Sequence, residues 1–161
     1  MILFLDFDGV LHPDPCIDED RLFENADRLG EVLEDFPEVG IVLSTSWRNV
    51  RPLDELLASL PHALRQRVMG VNPNFNDFQS DAPRVPYRRH AECEKWMRMH
   101  AMDDVPWWAL DDRPDWFAPY CENLLECEPN CGFDERMAAR LRSALSVARQ
   151  RVARNVDLIL S

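Results

Sequence analysis

The chain begins Met1-Ile2-Leu3-Phe4-Leu5-Asp6-Phe7-Asp8-Gly9-Val10, and this stretch decides the fold. Residues 1–7 are an apolar run of strand length, and Asp8-Gly9 turns it at the end. It reads as a buried, central strand. Over 21–36, Leu22, Ala26, Leu29, Val32, Leu33 and Phe36 recur at helical spacing after an acidic stretch suited to a helix N-terminus, which predicts the first helix. Gly40-Ile41-Val42-Leu43 then repeats the apolar strand pattern and runs into Ser44-Thr45-Ser46. Strand, helix, strand implies a parallel βαβ unit.

Further along, Pro52 suits a first helical turn, and Leu53, Leu56, Leu57 and Leu60 supply a buried face. Residues 68–71 read as a short strand. Residues 72–86, rich in proline, phenylalanine and asparagine without periodicity, read as a loop and a candidate substrate-covering flap. A helix is expected over 88–100, with Cys93, Trp96, Met97 and His100 on one side, and a strand over 107–110 that ends in Asp111-Asp112. Leu124 and Leu125 mark one more strand. Asp134 caps a long helix whose core face is Met137, Leu141, Leu145, Ala148 and Val152. The apolar tail over 156–160 has no place assigned to it.

The 161 residues suit a single domain over 1–161, and with 46% hydrophobic residues they suffice for a core without staples. Eighteen Lys and Arg against 29 Asp and Glu leave a net charge of -11. Such a surface gives no general attraction for nucleic acid or anionic lipid, so a phosphate-bearing ligand must be drawn in locally. No apolar stretch approaches a membrane span and the opening run is too short for a signal peptide, so the expected location is cytoplasmic. Cys16, Cys93, Cys121, Cys127 and Cys131 form no C-x-x-C pairs. They read as buried or surface thiols rather than as a disulfide framework or a zinc site.

Three expected strands end in oxygen-bearing residues: Asp6 and Asp8, then Ser44, then Asp111 and Asp112. In open parallel sheets ligands bind beyond the carboxyl ends of the strands, at the switch point, so the three clusters should converge on one crevice. Carboxylates gathered without histidine or thiol suit a hard cation such as Mg²⁺. Next to such a cation a carboxylate can attack a phosphoryl group.

The run Phe4-Leu5-Asp6-Phe7-Asp8-Gly9-Val10, the Ser44 that closes an apolar strand, the acidic pair of Ala109-Leu110-Asp111-Asp112 and Asp115 four residues on resemble the motifs of the haloacid dehalogenase-like (HAD) superfamily. The runs LDFDGVLHP, LSTSWR and WWALDDR further resemble the phosphatase domain associated with Swiss-army-knife RNA repair proteins. The resemblance implies a three-layer Rossmann-like fold with a central parallel sheet. A large cap domain finds no room between Gly9 and the first helix, so the site should be open. The resemblance also implies that Asp6 is the nucleophile and Asp8 the proton donor and acceptor. Asp6, the backbone carbonyl of Asp8 and Asp111 would hold Mg²⁺. Ser44 and either Arg88 or Arg89, with Arg89 favoured, would bind phosphoryl oxygens. Asp112 and Asp115 would orient metal waters or the arginine.

Alternatives stay open at several positions. Thr45 or Ser46 could replace Ser44. Trp47 and Arg48 fit either substrate contact or a core tryptophan beside a surface arginine. His12 reads as a loop histidine or as a contact of the leaving group, and His62, His90 and His100 receive no role. The expected activity is a phosphatase acting on a phosphomonoester of unspecified class. Nucleic-acid end repair, which the net charge does not support, and a noncatalytic binding module are the alternatives.

Overall fold

The computed structural model describes residues 1–74 and 86–160, with side chains as far as 154. Among these residues, five strands form one sheet: β1 (Ile2–Leu5), β2 (Gly40–Leu43), β3 (Val68–Val71), β4 (Trp107–Asp111) and β5 (Leu124–Glu126). Their order is β3-β2-β1-β4-β5 and every pairing is parallel. The chain winds outward from β1 to β3, then crosses back to lay β4 and β5 on the other side. The switch point therefore lies between β1 and β4, at the centre of the sheet.

Helices cover both faces: α1 (Ala26–Glu34), α2 (Leu53–Ala58), α3 (His62–Arg65), α4 (Arg88–Met99) and α5 (Glu135–Leu160). Leu3 and Leu5 of β1 join a buried cluster with Leu29, Val32 and Leu33 of α1, Leu64 of α3, and Leu141 and Leu145 of α5. Ile2 and Phe4 point the other way, against Cys93, Trp96 and Met97 of α4. Phe4 meets Trp96 and Trp107 edge to face, with ring centroids 5.9 and 5.4 Å away. A strand buried on both faces has no polar alternation, which is why β1 is apolar throughout. The result is the expected α/β three-layer, Rossmann-like architecture.

The first helix is shorter than its periodicity predicts. It starts at Ala26, after a 3₁₀ turn at Glu19–Arg21. Phe23 breaks the run: it takes a left-handed backbone (φ 61°) and turns its ring onto Phe7, His12 and Trp47. Asn25 follows, and its side-chain amide donates to the carbonyls of Val10 and Cys131. Tertiary contacts thus claim the residues that helical spacing alone assigns to α1, and Leu22 is left exposed. In α2, Leu56 is buried but Leu53 is exposed.

Residues 6–25 connect β1 to α1 through turns and one short 3₁₀ segment, so no cap domain is inserted there. Of the candidate flap over 72–86, residues 75–85 lie outside the described residues. Asp134 caps α5 as expected, its Oδ1 accepting from the Met137 N–H at 2.8 Å. The tail over 156–160 continues α5 rather than docking as a separate segment. Among the described residues no helix is long and apolar enough to cross a membrane.

Candidate active site

Strand register brings the candidate residues to one level. Leu5 pairs with Leu43 on one side and Leu110 on the other, so the next residues, Asp6, Ser44 and Asp111, stand in a row. The ladder continues into this row: the Asp6 N–H donates to the Leu110 carbonyl at 3.1 Å and the Ser44 N–H to that of Leu5 at 2.7 Å. Asn72 extends it from β3, its N–H donating to Leu43 at 2.9 Å. All four side chains are buried.

Arg89 enters the row from the first turn of α4 and is 1% exposed. Its Nη1 donates to Ser44 Oγ at 3.1 Å and lies 3.7 Å from Asp6 Oδ2 and 3.6 Å from Asp111 Oδ2. Asn72 Nδ2 also donates to Ser44 Oγ, at 2.9 Å. With both lone pairs of the hydroxyl engaged, its proton remains available to an incoming acceptor. Thr45 and Ser46 fit that role less well. Thr45 is buried and its hydroxyl accepts from the Trp47 N–H, and Ser46 is exposed.

The carboxylates of Asp6, Asp111 and Asp112 each offer an oxygen within 4.8 Å of the others. Asp112 lies over Gly9, whose backbone is left-handed (φ +65°) and where any Cβ would run into the Asp112 carboxylate. A glycine is therefore required at that turn. Burial pushes the Asp6 carboxyl up from its ordinary range, against the pull of Arg89. Burial and Asp6 drive Asp111 well above that range. Burial, Asp6 and Asp14 raise Asp112 to about 6. Asp111 Oδ2 is buried without a hydrogen-bond partner. Three crowded carboxylates, one with an orphaned oxygen and none accompanied by imidazole or thiol, fit a hard divalent cation.

Asp8 sits beside this cluster but is held differently. Its Oδ2 accepts from Trp47 Nε1 at 2.9 Å, and its Oδ1 lies 3.1 Å from His12 Nε2. Arg48 departs from both readings of the sequence, neither facing a substrate nor lying on the surface. The 3₁₀ turn at Ser46–Asn49 folds it inward, where it donates to the carbonyls of Ser44 and Thr45 and pairs with Glu92 at 2.6 Å. Glu92 is fully buried and also stands 3.7 Å from Arg89 Nε.

Asp6, Ser44, Arg89, Asp111 and Asp112 come together; Arg88 and Asp115 do not join them. Arg88 lies over Trp116, 4.5 Å from the ring centre; Arg89 meets the same ring at 5.0 Å, but of the two it is Arg89 that reaches Asp6, Ser44 and Asp111. Asp115 is paired with Arg113 at 3.1 Å, its side chain 61% exposed, so the surface ion pair holds it away from Arg89. Among the described residues the cysteines form no metal-ligand group. Asn72 and Glu92 were missed from the sequence. Asn72 follows an apolar strand just as Ser44 does, and the same rule applied to residues 68–71 finds it. Glu92 carries no such signal, since an acidic residue one turn into a helix is ordinarily solvated.

No curated protein and no solved structure matches this chain. A family model does, the one described as the HAD domain in Swiss Army Knife RNA repair proteins, over residues 2–138. That span takes in the whole sheet and every residue of the crevice, and on this match the chain belongs to the family of HAD domains in Swiss Army Knife RNA repair proteins.

Proposed function

We propose that the chain is a Mg²⁺-dependent phosphatase that hydrolyses a phosphomonoester through an aspartyl-phosphate on Asp6. The observation that carries this reading is the row of Asp6, Ser44 and Asp111 at one strand level with Arg89 buried among them. Asp6 Oδ1 is fixed by the Phe7 N–H at 2.7 Å, which leaves Oδ2 as the attacking atom, beside Arg89. Asp6, Asp111 and the backbone carbonyl of Asp8 would hold Mg²⁺, with Asp112 close enough to orient its waters. The bound cation would offset the repulsion between phosphoryl oxygens and the attacking carboxylate.

In the first step Asp6 Oδ2 attacks phosphorus, the ester P–O bond breaks, and Asp8 gives its proton to the leaving oxygen. In the second, Asp8 takes a proton from water as water attacks the acyl-phosphate, releasing phosphate and restoring Asp6. Arg89 and the Ser44 hydroxyl hold phosphoryl oxygens through both steps. Purified protein should hydrolyse 4-nitrophenyl phosphate with Mg²⁺ and stop when the metal is chelated. A protein inactive with Mg²⁺, Mn²⁺ and Co²⁺ would favour the noncatalytic module.

A specific observation supports a second reading, a phosphatase for nucleic-acid ends. Two tryptophan–arginine stacks flank the crevice: Arg51 over Trp47 at 4.6 Å, and Arg88 and Arg113 over Trp116 at 4.5 and 4.3 Å. Guanidiniums laid on half-buried indoles offer faces on which bases stack and cations with which phosphates pair. The matched family is also named for RNA repair proteins. Preference for a 3′-phosphorylated oligonucleotide over small esters would select this reading, and equal or poorer turnover would remove it.

A further inference from the structure

The aspartates of the crevice differ in how they are fixed. Asp6 accepts from the Phe7 N–H at 2.7 Å and Asp111 from the Arg113 N–H at 2.9 Å. Both are nearly closed to solvent, with side chains 5% and 1% exposed. The Asp8 side chain is 36% exposed. A half-open aspartate on a turn ordinarily samples several rotamers, yet each Asp8 oxygen here has one side-chain partner, Trp47 Nε1 at 2.9 Å and His12 Nε2 at 3.1 Å.

Those partners are themselves immobilised. His12 is 1% exposed, and its ring meets Phe23 at 5.2 Å and Trp47 at 5.9 Å between centroids. Trp47 is packed against Phe7 and Phe23 at 5.6 and 5.7 Å. His12 Nδ1 is buried without a partner. A bare ring lone pair is a smaller loss there than an unpaired N–H, which places the proton on Nε2, facing Asp8. The indole N–H can only donate. A carboxylate has about four lone-pair sites, so two donors leave it room to carry a proton in a fixed direction.

We propose that Trp47 and His12 are positioning residues that clamp Asp8, one on each carboxylate oxygen, and thereby aim its remaining lone pairs at the leaving group and the hydrolytic water. This rests on the phosphatase reading. The clamp also explains why the loop after β1 closes back on itself, with Asp8 bridging to His12, and why Phe23 interrupts the run before α1. The rings build a wall whose polar edge is turned to one side chain.

The experiment compares two esters that need Asp8 to different degrees. Phenyl phosphate, with a poor leaving group, depends on protonation; 2,4-dinitrophenyl phosphate does not. Trp47→Phe keeps the ring and removes the N–H, and His12→Leu removes the second donor. With Mg²⁺, kcat/KM for phenyl phosphate should fall about 10- to 100-fold in each variant, part of the usual worth of general acid catalysis. For the dinitrophenyl ester the change should stay under about 3-fold, because there is little acid catalysis to lose. His12→Gln, whose amide N–H reaches the same place, should restore most of the rate on phenyl phosphate. On an Asp8→Asn background Trp47→Phe should add no further loss, because the two changes remove one interaction. The Trp47 indole N–H resonance, assigned by its absence in Trp47→Phe, should move in Asp8→Asn. Equal losses on both esters, full additivity with Asp8→Asn, or an indole signal indifferent to Asp8 would overturn the clamp and leave the phosphatase standing. Wild-type protein that turns over neither ester would overturn the phosphatase and the clamp with it.

Discussion

The strand-end row and the residues around it are held in place by different forces. Asp6, Ser44, Asp111 and Asn72 are set by backbone register: each follows directly on a strand whose ladder hydrogen bonds run into it. Arg89 and Asp8 are set by side chains, through Ser44 and Glu92 and through Trp47 and His12, and Arg48 by the Glu92 side chain together with two strand-end carbonyls. A backbone-fixed group stays put when its neighbour is altered. A group fixed by side chains moves or loses its compensation, so substitutions should separate the two regions.

The largest effect is expected at Arg89. It faces Asp6, Asp111 and Glu92 at 3.6 to 3.7 Å, and breaking buried pairs by removing one partner costs about 3–5 kcal/mol. Arg89→Met should therefore lower the melting temperature as well as slow hydrolysis by at least about 10². A stable, fully active variant would show that the row does not need its cation. Ser44→Ala should come next, with loss of one hydrogen bond to phosphate worth roughly 10- to 1000-fold in rate. The backbone of Ser44 stays in the ladder, but its hydroxyl accepts from Arg89 and Asn72, so its loss leaves two buried donors unpaired and should also lower the melting temperature, by less than Arg89→Met does; an unaltered rate would move the role to Thr45.

A smaller effect, read by pH, is expected at Asp112. Its pKa is raised from 3.8 to about 6, so the folded chain holds this proton to higher pH than the unfolded chain does. The stability it contributes is complete below pH 3.8 and lost as pH rises through about 6. In metal-free buffer Asp112→Asn should therefore raise stability at pH 8, by roughly 1 kcal/mol after allowance for its partly open position, and leave it unchanged near pH 4. A variant destabilised at pH 8 would contradict the crowding of carboxylates. The smallest effect belongs to Asp115. Its pair with Arg113 is exposed, and such pairs contribute about 0–1 kcal/mol. Asp115→Asn should alter the rate by no more than about twofold; a tenfold loss would place it in the crevice.

The same division explains what could be read from the sequence. Apolar runs that end in Asp6, Ser44 and Asp111 disclose both the parallel sheet and the row beyond it, because register follows from the runs and a strand's last residue shares its level with its neighbours' last residues. The inward turn of Arg48, the burial of Glu92 and the grip of Trp47 and His12 on Asp8 depend on rotamers and on segments distant in the chain, which no spacing encodes. The start of α1 failed for a related reason. Helical periodicity continues through Leu22, but the contacts of Phe23 with Phe7, His12 and Trp47 outweigh it.

The central claim is that Asp6 forms a covalent bond to phosphorus while Asp8 moves protons. Intact-mass measurement after mixing with 2,4-dinitrophenyl phosphate and Mg²⁺ tests it most directly. Asp8→Asn retains the nucleophile but loses the proton shuttle, which is typically worth about 10² to 10⁴ in rate. It should therefore accumulate a phosphate adduct that maps to Asp6. Asp6→Asn cannot form the acyl-phosphate and should show neither adduct nor product. An adduct on another residue, or full turnover by Asp6→Asn, would contradict the account.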